Sequence, residues 1–161
     1  MGQVHTQLTV INRADEVRMI DGHISEDQIR KITLDGVLAD TGATNLCLPS
    51  HIIQKLGLLP LKEVMTSTAA GYQRTTVYQD AKVSLGGREG VFQCLELPGG
   101  ENALLGVIPM EELGIELDLQ KHELKFLPME PGNSYYTAYG HTLFNSDGTP
   151  LDENELRSES Q

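Results

Sequence analysis

Val37-Leu38-Ala39-Asp40-Thr41-Gly42-Ala43-Thr44 is an apolar run that stops on one carboxylate and then passes through a hydroxyl, a glycine, an alanine and a threonine. Such residues suit a strand that delivers an acid to its end, and Gly42 lets the backbone turn tightly there. An Asp in a turn often does no more than bond its own backbone, so the tripeptide alone decides nothing. Its weight comes from the residues downstream. Asp40-Thr41-Gly42 runs on into Leu48-Pro49, a short helix expected over 50–56, and Leu56-Gly57-Leu58. Ala103-Leu104-Leu105-Gly106 runs on into Ile108-Pro109, a short helix expected over 110–113, and Leu113-Gly114-Ile115. The same order occurs twice, offset by about 60 residues, which is too long a period in too few copies for a solenoid and reads as an internal two-fold duplication. Only the first copy ends its strand on a carboxylate; the second has apolar residues and Gly106 there.

Outward from these two stretches the chain reads as all-β. Segments rich in Val, Ile, Thr and Leu are cut by turn dipeptides at about eight- to twelve-residue intervals, the pattern of a sandwich or small closed barrel. Asp35-Gly36 between Lys31-Ile32-Thr33-Leu34 and Val37-Leu38-Ala39-Asp40 predicts a hairpin, and so does Gly86-Gly87 after Ala81-Lys82-Val83-Ser84-Leu85. Val64-Met65-Thr66-Ser67-Thr68 and Arg74-Thr75-Thr76-Val77-Tyr78 are the arms of a further hairpin, with Ala69-Ala70-Gly71-Tyr72 at its tip.

The Asp40 stretch, with its apolar strand before and the Leu104-Leu105-Gly106 stretch, short helix and Ile115-Glu116-Leu117-Asp118 behind, resembles the retropepsins, the retroviral-type aspartic proteases. The resemblance spans residues 30–127 and implies a closed barrel with internal duplication, one or two short helices and a mobile hairpin, the flap. It implies Asp40, Thr41 and Gly42 as the catalytic loop, Leu105 and Gly106 as the second loop, and Ala70, Gly71 and Tyr72 of the flap as substrate contacts. It further implies that Thr41 bonds across to a partner's loop and that the Gly42 N–H donates to the Asp40 carboxylate. Tyr72 is expected to pack rather than to act chemically. Many members of that family carry Arg directly after the second loop's Gly. Here Val107 stands there, which removes a common dimer brace and predicts a weak dimer.

The chemistry gives a reason for these residue types. Peptide hydrolysis uses one carboxylate to activate water and one carboxylic acid to protonate the leaving amine. Two carboxyls about 3 Å apart cannot both ionise and so hold a single proton between them. A chain with one such Asp obtains the other from a second copy across a two-fold axis. The expected activity is therefore that of a homodimeric aspartic endopeptidase with water as nucleophile, without metal or other cofactor, acting on extended peptide or protein substrates. Two other readings stand beside it. A catalytically silent dimer of this fold would bind peptides or partner proteins and keep them after Asp40→Asn, and a purely structural dimer would bind nothing in its groove.

Composition narrows the classes. The net charge of −11 excludes a phosphate-binding surface and hence nucleic acid as partner. No apolar run approaches the roughly 20 residues of a membrane helix. The first ten residues do not read as a secretory signal, so a cytoplasmic location is expected, in a stand-alone cellular or bacterial form rather than a polyprotein. Length accommodates a protease domain over 1–128 and a polar acidic tail over 129–161, expected to be partly disordered. Residues 130–161 hold six acids and one base, a charge of −5, against −6 for the remainder. Cys47 and Cys94 are expected reduced and buried. His5, His23, His51, His122 and His141 lack metal-site spacing and read as surface residues. Tyr135, Tyr136 and Tyr139 either dock the tail or border the groove. Phe126-Leu127 and Leu143-Phe144 are candidate self-cleavage sites. Repulsion between two chains of −11 eases as carboxylates protonate, so tighter dimers and higher activity are expected at mildly acidic pH.

Overall fold

A computed structural model of the chain describes residues 3–129. The tail, with Tyr135, Tyr136, Tyr139, His141 and Leu143-Phe144, lies outside them. Nine strands and three short α-helices follow one another as β1 (Val4–Asn12), α1 (Arg13–Ile20), β2 (Lys31–Ala39), β3 (Leu46–Pro49), α2 (Ser50–Leu56), β4 (Leu59–Thr68), β5 (Gly71–Leu85), β6 (Arg88–Leu97), β7 (Leu104–Leu105), α3 (Val107–Glu112), β8 (Ile115–Asp118) and β9 (Glu123–Phe126). The sheet runs β1-β2-β7-β3-β6-β5, and β5 pairs back onto β1 through Thr9↔Ser84 to Asn12↔Ala81, which closes the ring. The expected all-β closed barrel is thus observed. Strand β4 occupies the same edge of β5 ahead of β1, so β4 and the first half of β5 project as a hairpin.

Alternate side chains point inward along each strand, and Val4, Leu8, Val10, Val37, Leu46, Leu48, Val83, Phe92 and Leu105 meet inside with Ile53, Leu56, Met110 and Leu113 from the helices. No helix of the described residues is long and apolar enough to cross a membrane.

The duplication is visible in the backbone. Helix α2 ends on Gly57 (φ 63°) and α3 is followed by Gly114 (φ 66°), both left-handed, where a side chain is disfavoured. Leu56 and Leu58 flank the first glycine and Leu113 and Ile115 the second, all four buried.

Three expectations need correction. Asp35-Gly36 does not turn a hairpin: β2 runs unbroken through it. The register against β1 shifts between Thr6 and Leu8, and Gly36 adopts φ 69° there. A glycine at positive φ plus one unmatched residue is what a β-bulge needs, so the same dipeptide chemistry serves a different end. The second helix begins at Val107 rather than Met110, since Pro109 in its first turn has no N–H to lose. Helix α1 was not expected at all. At Gly86-Gly87 the hairpin is as predicted, with φ 59° and 79° and Leu85 opposite Arg88.

Candidate active site

Strands β2 and β7 lie parallel, Leu38 beside Leu104 and Ala39 beside Leu105, and therefore deliver the two matched loops to one place. The loops are then laced together by backbone. The Asp40 N–H donates to the Leu105 carbonyl (3.0 Å), the Val107 N–H to the Ala43 carbonyl (2.9 Å) and the Ile108 N–H to the Thr44 carbonyl (2.9 Å). Gly106 is buried where they meet. A Cβ on it would stand 2.4 Å from the Asn45 oxygen and 2.7 Å from the Ala43 oxygen, both rigid backbone. The second loop is glycine because the first loop occupies the space of a side chain.

Within the first loop the Gly42 N–H donates to Asp40 Oδ1 (2.8 Å), and the Ala43 N–H to the Asp40 carbonyl (3.1 Å). The carboxylate is therefore oriented by backbone, in the manner of an Asp in a turn, while Asp40 remains partly open and Thr41 and Gly42 are exposed. In a single chain only one carboxylate stands at the junction of the loops; the second loop contributes Leu104, Leu105 and Gly106.

One face of the sheet borders Asp40 without belonging to the core. Strand registers place Leu104, Cys47, Leu95 and Val77 side by side across β7, β3, β6 and β5, on the face that also carries Leu38. None of the five is in the core cluster, although Cys47 and Val77 are buried. They form an apolar floor leading from Asp40 to the base of the β4–β5 hairpin. Burial, and then the nearby Asp40 charge, push the Cys47 thiol up to about 11. Burial likewise raises Cys94. Both cysteines are free and buried, and neither supplies a thiolate nucleophile near neutral pH.

The hairpin tip is Ala69-Ala70. Thr68 pairs with Gly71, the Thr68 hydroxyl donates to the Gly71 carbonyl (2.8 Å), and Gly71 takes φ 107°. Tyr72 is 80% exposed, so the expectation that it packs does not hold in the single chain. Ala70, Gly71 and Tyr72 stand together at this tip, on a different element from the Asp40 loop. His5, His23, His51 and His122 are exposed as expected. The Phe126-Leu127 bond ends β9: the Leu127 N–H donates to the Gly114 carbonyl (2.9 Å), and cleavage there requires the strand to leave its place.

The floor residues escaped the sequence reading because β3, Leu46–Pro49, is buried on both faces and shows no alternation. Register against β6 and β7 is what reveals them.

No curated protein matches the chain. Among solved structures, EIAV protease complexed with the inhibitor HBY-793 aligns at 18% identity with a TM-score of 0.48, covering 73% of this chain and 93% of that one. Residues 28–108 match the family model described as aspartyl protease. That span contains the Asp40 loop, the β4–β5 hairpin and Gly106, so the elements that build the site are those that place the chain in the aspartyl protease family.

Proposed function

We propose that the chain is an aspartic endopeptidase whose working unit is a homodimer. The observation that carries this is the single partly open carboxylate of Asp40, fixed by the Gly42 N–H at the junction of two matched loops. One carboxyl cannot be both base and acid at the same moment, and a two-fold axis beside this junction supplies the second. In the dimer, one Asp40 takes a proton from water while the resulting hydroxide adds to the scissile carbonyl carbon. The protonated Asp40 of the partner donates to the carbonyl oxygen. The first Asp40, now protonated, then gives its proton to the amine nitrogen as the C–N bond breaks, and the partner's Asp40 takes back a diol hydroxyl proton as the carbonyl reforms. Thr41, exposed beside Asp40, bonds across the axis and holds the two carboxyls in register.

The β4–β5 hairpin is the flap. Its tip, Ala70, Gly71 and Tyr72, presents backbone groups and an exposed ring to an extended peptide, and its closure excludes water. The floor of Leu95, Cys47 and Val77 accepts apolar side chains near the cut.

The test is cleavage of an unfolded protein across acidic to neutral pH by wild type and Asp40→Asn, with and without a statine-type inhibitor. Cleavage abolished by the substitution and by the inhibitor, with activity rising more than in proportion to enzyme concentration, is the expected result. A folded dimer that cuts nothing at any pH would overturn it. Sedimentation should show a tighter dimer at mildly acidic than at neutral pH, and equal affinity at both would contradict the charge argument.

A further inference from the structure

Both halves of the duplication end their helix in the same way. In the first half the buried Asn12 donates from Nδ2 to the carbonyls of Leu56 (2.7 Å) and Gly57 (3.4 Å). In the second half the buried Arg88 donates from Nη1 to the carbonyls of Leu113 and Gly114, each at 2.8 Å. The two carbonyl pairs occupy equivalent places, the Leu-Gly that closes α2 and the Leu-Gly that follows α3. The last carbonyls of a helix have no partners within it, and a cation there is favoured by the helix dipole. Arg88 does more than cap. Its Nη2 donates to the Leu127 carbonyl and its guanidinium lies 5.3 Å above the Phe126 ring, so it ties α3 to both β6 and the end of β9.

The two helices differ in what their other ends hold. The N-terminus of α2 follows β3 and is separated from Asp40 by that whole strand. The N-terminus of α3 is bonded straight to the catalytic loop through Val107 to Ala43 and Ile108 to Thr44. Helix α3 has six residues and no side-chain cap at Gly106, a strut of about 9 Å at 1.5 Å per residue. So short a helix takes its orientation from its two anchors. Gly106 has no free space against Asn45 and Ala43, so any pivot of α3 must carry the Asp40 loop with it.

We infer that Arg88 is a positioning residue for catalysis: by fixing the far end of α3, it fixes the loop that holds Asp40. The inference rests on the aspartic-protease reading for its rate measurement and is independent of it for its exchange measurement. Arg88→Gln and Arg88→Lys are compared with Asn12→Ala, which removes the equivalent anchor from α2, the helix that has no backbone hydrogen bond to the catalytic loop. In Arg88→Gln, kcat should fall about 10- to 100-fold with KM nearly unchanged, the scale expected for a slight misplacement of reacting groups. The amides of Asp40, Val107 and Ile108 should exchange with solvent about tenfold faster or more. Arg88→Lys, which keeps the cation but not the fork, should recover part of both. Asn12→Ala should lose stability yet leave kcat and those three amides alone. The inference is overturned if Arg88→Gln changes kcat and the loop amides no more than Asn12→Ala does, or if faster exchange stops at Gly114 and Leu127. Should Arg88→Gln not fold, Arg88→Lys decides by the same readouts. Should the wild type cut nothing, exchange at the three amides still decides for Arg88 while the protease reading falls.

Discussion

The two halves of the barrel share a backbone and divide the work. Each runs from a strand through a loop to a short helix, a left-handed glycine and a buried aliphatic residue. Yet the first loop presents Asp40 beside an exposed Thr41, while the second buries Leu105 and Gly106. The second loop is a bed for the first: its Val107 and Ile108 N–H groups donate to the Ala43 and Thr44 carbonyls, and it leaves no room for a Cβ at 106. Duplication has kept the geometry of an acid-bearing loop in both places and the acid in one. On the proposed reading such a chain is a half-site, and its second carboxylate comes from a symmetric copy rather than from its own second half.

The largest effect expected from breaking this asymmetry is at Asp40. Asp40→Asn keeps shape and the hydrogen bond from Gly42 but removes proton transfer, so kcat/KM should fall about 10⁴-fold, at the upper end of what acid–base catalysis contributes. The fold should be unaffected, which thermal unfolding of the variant would show. Next is the bed itself. Gly106→Ala places a methyl against rigid backbone and should cost about 3 kcal/mol, the upper range for overpacking, in urea unfolding. Gly42→Ala is the contrast. Its Cβ meets only the Asp40 side chain, Oδ1 at 3.1 Å and Cγ at 3.9 Å, and it should retain more stability than Gly106→Ala. If the two cost the same, the claim that the second loop is the tighter of the pair fails.

A smaller effect is expected at the proposed dimer interface. There Thr41→Ala would remove one cross-axis bond from each chain. At about 1 kcal/mol per bond, two lost bonds should weaken the dimer about 30-fold in sedimentation equilibrium. An unchanged dimer would place Thr41 outside the interface.

What was legible in the sequence was what is local. Asp40-Thr41-Gly42, the Gly106 loop and the repeated Pro, helix and Leu-Gly order all lie within short windows, and the barrel and the loop pairing followed from them. Helix α1 was not legible because its only buried residue is Asp15, so it has no apolar stripe. Its sign is the cap instead: Asn12 Oδ1 accepts from the Asp15 N–H at 3.1 Å. The helix-end anchors were beyond reach, since Asn12 and Leu56 are 44 residues apart and Arg88 and Leu113 are 25 apart. Spacings of that size carry no periodicity to read.

The smallest expected effect separates the two anchors by pH. Behind Asn12 stands Asp15, whose carboxylate side chain is 3% exposed and receives the Arg30 Nε–H (2.8 Å), Nη2–H (3.0 Å) and backbone N–H (3.0 Å). The Arg30 guanidinium lies against Gly57, where a Cβ would collide with it. Its hydrogen bonds to Asp15 outweigh burial and hold that carboxyl below its ordinary value of 3.8. A carboxyl depressed on folding contributes stability that is fully present above the unfolded value and is lost as pH falls through the folded one. The first-half anchor should therefore hold at mildly acidic pH and loosen only below about 3.8. The Arg88 bonds to the Leu113 and Gly114 carbonyls have acceptors that do not titrate, and these bonds should persist. Asp15→Asn should cost about 1.5 kcal/mol at neutral pH, the low end for a hydrogen bond to a charged group, and progressively less in acid. Between pH 6 and pH 3, amide protection measured against the slowing intrinsic exchange rate should fall at Gly57 and Leu58 before Gly114. Simultaneous loosening at both glycines would mean that the halves unfold as one unit and that the ionic anchor behind Asn12 has no separate role.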